Sequence, residues 1–258
     1  MANATALFLG RGGVPGFLRG RNAMVMVLTW AASAVDAISY LGLGHVFTAN
    51  MTGNAVLLGV AIGQGQGLAA LRSIIALAGF VVGAALGAII VEKGPQQTDW
   101  PVAVTSAVLL EGIILGAFTL AWHLGARSGA TLYALITLSA LAMGVQSAAI
   151  RHLKVPGIAT TYITGTLTSL MAEFATWIYR LRISPLAVDP TGQSATLDVP
   201  EARRYHGARL QALVLLIYVL AALLSAFLQS RHSWLVTLSP LAAVVLVVLN
   251  ACARHRRE

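Results

Sequence analysis

Ser73-Ile74-Ile75-Ala76-Leu77-Ala78-Gly79-Phe80-Val81-Val82-Gly83-Ala84-Ala85-Leu86-Gly87-Ala88-Ile89-Ile90-Val91 carries no charge, and the stretch stops at Glu92-Lys93-Gly94-Pro95. About 20 mostly apolar residues are what a helix needs to cross the hydrocarbon core of a bilayer, and the span around this run reads as 69–91. Five further segments have that length and character, at 24–42, 101–122, 130–150, 209–229 and 234–252. Each is bounded by charge, Pro, Gly or an aromatic: Trp100-Pro101 opens one, and Arg231-His232 separates the last two. Trp122, Trp177, Tyr179 and Trp234 lie near span or motif ends, where aromatic belts form.

Composition agrees. Of 258 residues, 57% are hydrophobic and only 10% charged, with a mean hydropathy of +0.79. Soluble domains carry about 25% charged residues, so most of this surface is expected to face lipid. The net charge of +8 fits basic cytoplasmic loops, and no nucleic-acid partner is expected, because no aromatic-interleaved basic face is present. Cys252 is the single cysteine, which excludes an internal disulfide or a Cys-based zinc site. Arg11, Arg19, Arg21 and the Ala32-Ser33-Ala34 step imitate a signal peptide, but the apolar run continues to Leu43 and reads as a retained first helix.

Two more segments, 46–63 and 158–182, are apolar but rich in Thr, Asn and Gly. They read as short re-entrant or broken helices, or as complete crossings. With both re-entrant and the N-terminus inside, Lys and Arg split 14 to 3 between the inner and outer sides; with both crossing, 13 to 4. If only one crosses, the basic cluster at 180–209 is stranded on the wrong side. The pair therefore behaves alike, and both termini are expected to be cytoplasmic. The expectation is an all-α polytopic integral membrane protein of one domain, 1–258, with six spans. Residues 1–23, 183–206 and 253–258 form its cytoplasmic tail, loop and tail.

Thr48-Ala49-Asn50-Met51-Thr52-Gly53-Asn54 resembles Thr160-Thr161-Tyr162-Ile163-Thr164-Gly165-Thr166. Each copy follows one long apolar helix and precedes two more, and Asp99-Trp100 and Ser233-Trp234 open corresponding helices. Such weak internal symmetry is typical of transporter folds. Three spans per half would invert the halves; four would leave them parallel.

The first copy lies in a larger pattern: Asp36-Ala37, Tyr40-Leu41, Gly44, Phe47, Ala49-Asn50-Met51-Thr52-Gly53-Asn54 and Leu57-Leu58-Gly59. That pattern resembles the YoaK family, bacterial membrane proteins with a domain of unknown function. The resemblance implies six membrane segments, and the chain is expected in a bacterial inner membrane. It implies no reaction and no substrate.

Thr52, Gly53 and Asn54 suit a helix N-terminus, where Thr and Asn cap free N–H groups and Gly turns tightly. At membrane depth such an end can hold an anionic group, or its side chains can simply tie irregular backbone to neighbouring helices. Asp36, Glu111 and Glu173 lie in or near apolar surroundings, where an ionised carboxylate costs at least about 2.5–3.5 kcal/mol at the bilayer centre. Asp36, Asn50, Thr52, Gly53, Asn54, Glu111, Thr164 and Glu173 are therefore the candidate substrate- or ion-binding residues. Gln146 and Ser147 suit bonds across helices, His45 an interfacial position more than a proton carrier, and Arg72 a snorkelling anchor more than a counter-ion. Gly79, Gly83 and Gly87 form a small-residue ladder that lets another helix approach closely. It serves either the monomer interior, which is the expectation, or a homo-oligomer.

No Walker loop, nucleophile elbow or His-Glu-x-x-His is present, and no cofactor or metal is expected. The leading expectation is a secondary transporter of a small solute, with proton coupling through Asp36 or Glu111. The alternatives are an intramembrane lipid-modifying enzyme and a non-transporting membrane subunit or sensor.

Overall fold

A computed structural model describes residues 20–92, 98–155, 163–183 and 201–256. These residues form eight helices: α1 (Arg21–Gly42), α2 (Met51–Gly63), α3 (Gly67–Glu92), α4 (Val102–Leu124), α5 (Gly129–His152), α6 (Ile163–Ile183), α7 (Glu201–Arg231) and α8 (Leu238–His255). Six of them, α1, α3, α4, α5, α7 and α8, are long and apolar enough to cross a membrane. The expected spans are recovered to within a few residues, with one displacement. The last helix starts at Leu238 rather than near Trp234, and residues 234–237 are turns. Pro240 is the reason. It lacks an N–H and is tolerated in a first turn but not in a helix interior. In the loop expected at 183–206, α7 is already helical from Glu201; 184–200 lie outside the described residues.

Helix ends follow local chemistry. Leu43 N–H donates to Ser39 O and His45 N–H to Tyr40 O, with Gly44 between them at φ 85°. This is the glycine ending of a Schellman-type C-terminus. The Gly44 position has a second constraint, because a Cβ there would fall 2.6 Å from Arg72 Nη1. Asn50 caps α2 by accepting from Gly53 N–H at 3.1 Å, and Gly65 at φ 69° turns the chain into α3.

The directions of packed helices decide how often the chain crosses. Along α3, a Cβ on Gly79 would meet Thr137 O at 3.2 Å, on Gly83 Leu141 O at 2.1 Å, and on Gly87 Val145 O at 2.9 Å. Both numbers rise together, so α3 and α5 run parallel. Similarly, Ser33 Oγ donates to Tyr218 O at 2.6 Å, and a Cβ on Gly42 would lie 3.3 Å from Gln229 Nε2. Helices α1 and α7 are parallel too.

Helix α4 meets α8 the other way round. Thr105 pairs with His255 at 3.0 Å, Gly112 faces Val244, Thr119 donates to Thr237 O at 3.4 Å, and Trp122 donates to Ser233 O at 3.0 Å. As one number rises the other falls. If α2 and α6 both crossed, α4 and α8 would be parallel. If one alone crossed, α1 and α7 would be antiparallel. Six crossings, with α2 and α6 both turning back, is the arrangement that satisfies all three pairs. At 13 residues, α2 is also only about 20 Å long, short of the roughly 30 Å core.

Three crossings per half invert the second half relative to the first. Contacts obey that exchange: α3 with α5 corresponds to α7 with α1, α4 with α5 to α8 with α1, and α2 with α3 to α6 with α7. The α4–α8 and α1–α5 contacts map onto themselves, while α3 additionally touches α4. The molecule is thus two three-helix bundles, α3–α4–α5 and α7–α8–α1, joined along α4–α8 and α1–α5.

Residue equivalences follow from the same exchange. The first left-handed residues after α1 and α5 are Gly44 and Lys154, and α2 and α6 begin at Met51 and Ile163. The buried residues 73, 76, 83 and 87 of α3 match 211, 214, 221 and 225 of α7; residues 104, 107, 108, 111 and 115 of α4 match 240, 243, 244, 247 and 251 of α8. Asp36 and Gln146 each stand eight residues before their left-handed residue and so correspond. Glu111 corresponds to Val247, and Phe80 to Tyr218.

Candidate functional site

Asp36 lies in the second half of α1 and is buried. The 43–50 connection folds back from the end of α1 and presents its backbone to that carboxylate. Asp36 Oδ1 accepts from Thr48 N–H at 2.9 Å, Ala49 N–H at 2.7 Å and Asn50 N–H at 3.4 Å. Its Oδ2 accepts from the Tyr218 hydroxyl, across in α7, at 3.2 Å. The start of α2 is thereby held about 9 Å inside the end of α1, at the rise of 1.5 Å per residue.

The rest of the motif supports that turn. The Phe47 N–H donates to Asn54 Oδ1 at 2.9 Å, and Asn54 Nδ2 donates back to Phe47 O, so one amide pairs with both backbone groups of a residue. Ser39 and Thr48 hydroxyls bond at 2.8 Å. Tyr40 stacks on Phe47 with ring centroids 5.1 Å apart and meets the exposed His45 ring edge-on. Gly53 has no room for a side chain, since a Cβ would sit 2.9 Å from Phe47 Cδ2. Backbone that is irregular at membrane depth must be satisfied internally. Here Asp36, Asn50 and Asn54 satisfy it.

The structure thus gathers Asp36, Asn50, Gly53 and Asn54 at one junction. Thr52 belongs to it in sequence, but its side chain is exposed. Glu111 sits elsewhere. It belongs to the buried face of α4, with Val104, Val108, Leu115, Phe118 and Trp122, and is itself 0% exposed. Among the described residues, neither Oε1 nor Oε2 has a hydrogen-bond partner. Glu173 on α6 is half-buried and accepts from Gln211 Nε2 of α7 at 3.3 Å, whereas Thr164 is exposed near the start of α6. Residues 160–162 of the second Thr-Gly copy lie outside the described residues.

Two contributors escaped the sequence reading. Tyr218 is one, and its signal was a polar handle among Leu216, Ile217, Val219 and Leu220. A buried tyrosine hydroxyl needs a partner. The other is the equivalence of Gln146 with Asp36; fully buried Gln146 donates from Nε2 to Leu28 O at 2.8 Å, joining α5 to α1. Among the described residues, no group of three or more His, Cys, Asp or Glu could hold a metal ion.

A family model described as a protein of unknown function (DUF1275) matches residues 24–251. The chain belongs to this family. It is also similar to the UPF0700 transmembrane protein YoaK of Bacillus subtilis (strain 168), with 43% identity over 156 residues, which is 60% of this chain and 68% of that protein. No solved structure matches the chain. This DUF1275 chain is therefore a multi-pass membrane protein, and its family carries no assigned activity.

Proposed function

We propose that this DUF1275 protein is a secondary carrier of a small solute, in which the bundles α3–α4–α5 and α7–α8–α1 rock against each other. The carrying observation is the combination of an antiparallel α4–α8 pair with parallel α3–α5 and α1–α7 pairs. It gives two inverted halves, each with one helix that turns back. Inverted repeats with broken helices at their interface are the architecture that carriers use for alternating access. The solute passes between the bundles, along α4–α8 and α1–α5. The excess of Lys and Arg on one side supports cytoplasmic termini in a bacterial inner membrane.

Spin-label distances in liposomes test the reading. In a Cys252→Ser background, one pair of labels goes at Leu41 and Leu124, and another at Asn22 and Val102, all exposed. Each pair joins the two bundles at one end. Rocking predicts two distances at each end, with the populations moving oppositely. One distance at each end, in every lipid and at every pH, sinks the proposal.

A further inference from the structure

We propose that Glu111 is the coupling residue of this carrier and that its ion is a proton, not a metal cation; the assignment rests on the carrier reading above. Three observations lead there. Glu111 is fully buried, and neither carboxyl oxygen has a hydrogen-bond partner among the described residues. A polar group buried without a partner costs stability, so something other than folding must retain it. The molecule also contains its own control. The equivalent position in α8 is Val247, which is 2% exposed. The corresponding buried position is therefore filled by an apolar side chain in the other half, so the repeated helix packing does not itself require a carboxyl there. Asp36, in contrast, has both oxygens engaged by Thr48, Ala49, Asn50 and Tyr218, which leaves it the role of an anchor.

The choice of ion follows from what surrounds Glu111. A dehydrated Ca²⁺ or Mg²⁺ takes about six or more oxygen ligands, whereas Glu111 supplies two oxygens from a buried helix face whose neighbouring turns carry Val108 and Leu115, and among the described residues no group of three or more His, Cys, Asp or Glu could hold a metal ion. A proton needs one oxygen and leaves a neutral acid, which an apolar seam accommodates far better than a charge.

Charged and titratable side chains of the helices packed on α4 stand towards the helix ends. Helix α8 brings Cys252, Arg254 and His255, and the Thr105–His255 contact sets that cluster six residues from Glu111, roughly 9 Å along the axis. Helix α5 brings Tyr133, Arg151 and His152, and α3 brings Arg72 and Glu92. In the transfer itself, a Glu111 carboxylate oxygen takes H⁺ from hydronium, leaving water, when the bundles part on one side. That O–H bond breaks on the other side, the proton passing to water as hydronium and the electron pair staying on the carboxylate, with no redox change.

Infrared spectroscopy of the full chain in liposomes reads this directly. The expected result is a protonated-carboxyl C=O band that titrates with bulk pH, shifts in D₂O, and disappears in both Glu111→Gln and Glu111→Val. Replacing Na⁺ or K⁺ by N-methylglucamine is expected to leave its midpoint in place. A band that survives in both variants overturns the assignment, as does a midpoint displaced by about one pH unit or more on adding Na⁺, a tenfold competition. Labels frozen in one state alongside a well-behaved band overturn the carrier reading. Labels that exchange while the band survives in both variants overturn the role of Glu111 alone.

Discussion

The two halves share one set of helices and differ in what they do with buried polarity. Asp36 in the first half corresponds to Gln146 in the second, and Glu111 corresponds to Val247. At the first pair both halves keep a group that can accept a hydrogen bond, and Asp36 uses it on three successive backbone amides. At the second pair one half discards polarity altogether. Two buried carboxyls that look alike in composition thus have different reasons to exist. One completes the backbone of a helix that turns back, and the other completes nothing visible in the fold.

That contrast can be broken at its strongest point first. Asp36→Ala strands the Thr48 and Ala49 amides, whose bonds to a charged acceptor are each worth about 1.5–3 kcal/mol. A loss of about 3–5 kcal/mol is expected in detergent unfolding, with faster hydrogen exchange at residues 48–50. A loss under about 1 kcal/mol would mean that the turn stands without its carboxylate.

The second test concerns the small residues. The α3–α5 seam has Gly83, where a Cβ would lie 2.1 Å from Leu141 O, and the corresponding α7 position holds Ala221. Gly83→Ala therefore costs about 1–3 kcal/mol through overpacking, while Ala221→Gly costs about 1 kcal/mol through backbone freedom. Equal thermal stability of Gly83→Ala and the parent would show that the two seams are spaced alike. A third, smaller effect is expected for Tyr218→Phe, which copies Phe80 from the other half. Losing one bond to the Asp36 carboxylate, long at 3.2 Å, costs about 1.5 kcal/mol, the low end for a charged acceptor, measured in the same unfolding assay, and no loss would leave Asp36 anchored by the backbone alone.

Much of this fold could be read before any coordinates, because lipid imposes a length and a polarity that 19 uncharged residues such as 73–91 display openly. The beginning of α8 was misplaced because Trp234 and Leu235 are apolar enough to extend a span, while Pro240 fixes the start by what it cannot donate. Basic residues alone left the short segments undecided, since counts of 14 to 3 and 13 to 4 differ by one residue. The direction of α8 against α4 separates the two, and direction is a tertiary property. The repeat was visible at Thr52-Gly53 and Thr164-Gly165, but the Asp36–Gln146 pairing was hidden. Asp36 precedes Met51 by 15 residues and Gln146 precedes Ile163 by 17, so a fixed offset misses it. Nor could the sequence say that the Asp36 oxygens would be taken by amides 12 to 14 residues away, because that depends on the chain folding back.

Glu111→Val carries the smallest expected effect, and its sign carries the information. If the buried carboxyl served the fold, removing it would cost as much as removing Asp36. If it is retained for transport, the variant takes the residue that the other half already uses, sheds two unsatisfied acceptors, and loses no more than about 1 kcal/mol. A gain is equally compatible, since replacing an unsatisfied buried polar group by an apolar one of fitting shape is often neutral or stabilising. Unfolding of Glu111→Val beside Asp36→Ala, in the same detergent, makes the comparison. A large loss at Glu111 would put a structural partner at its oxygens, and the difference between the two carboxyls would collapse.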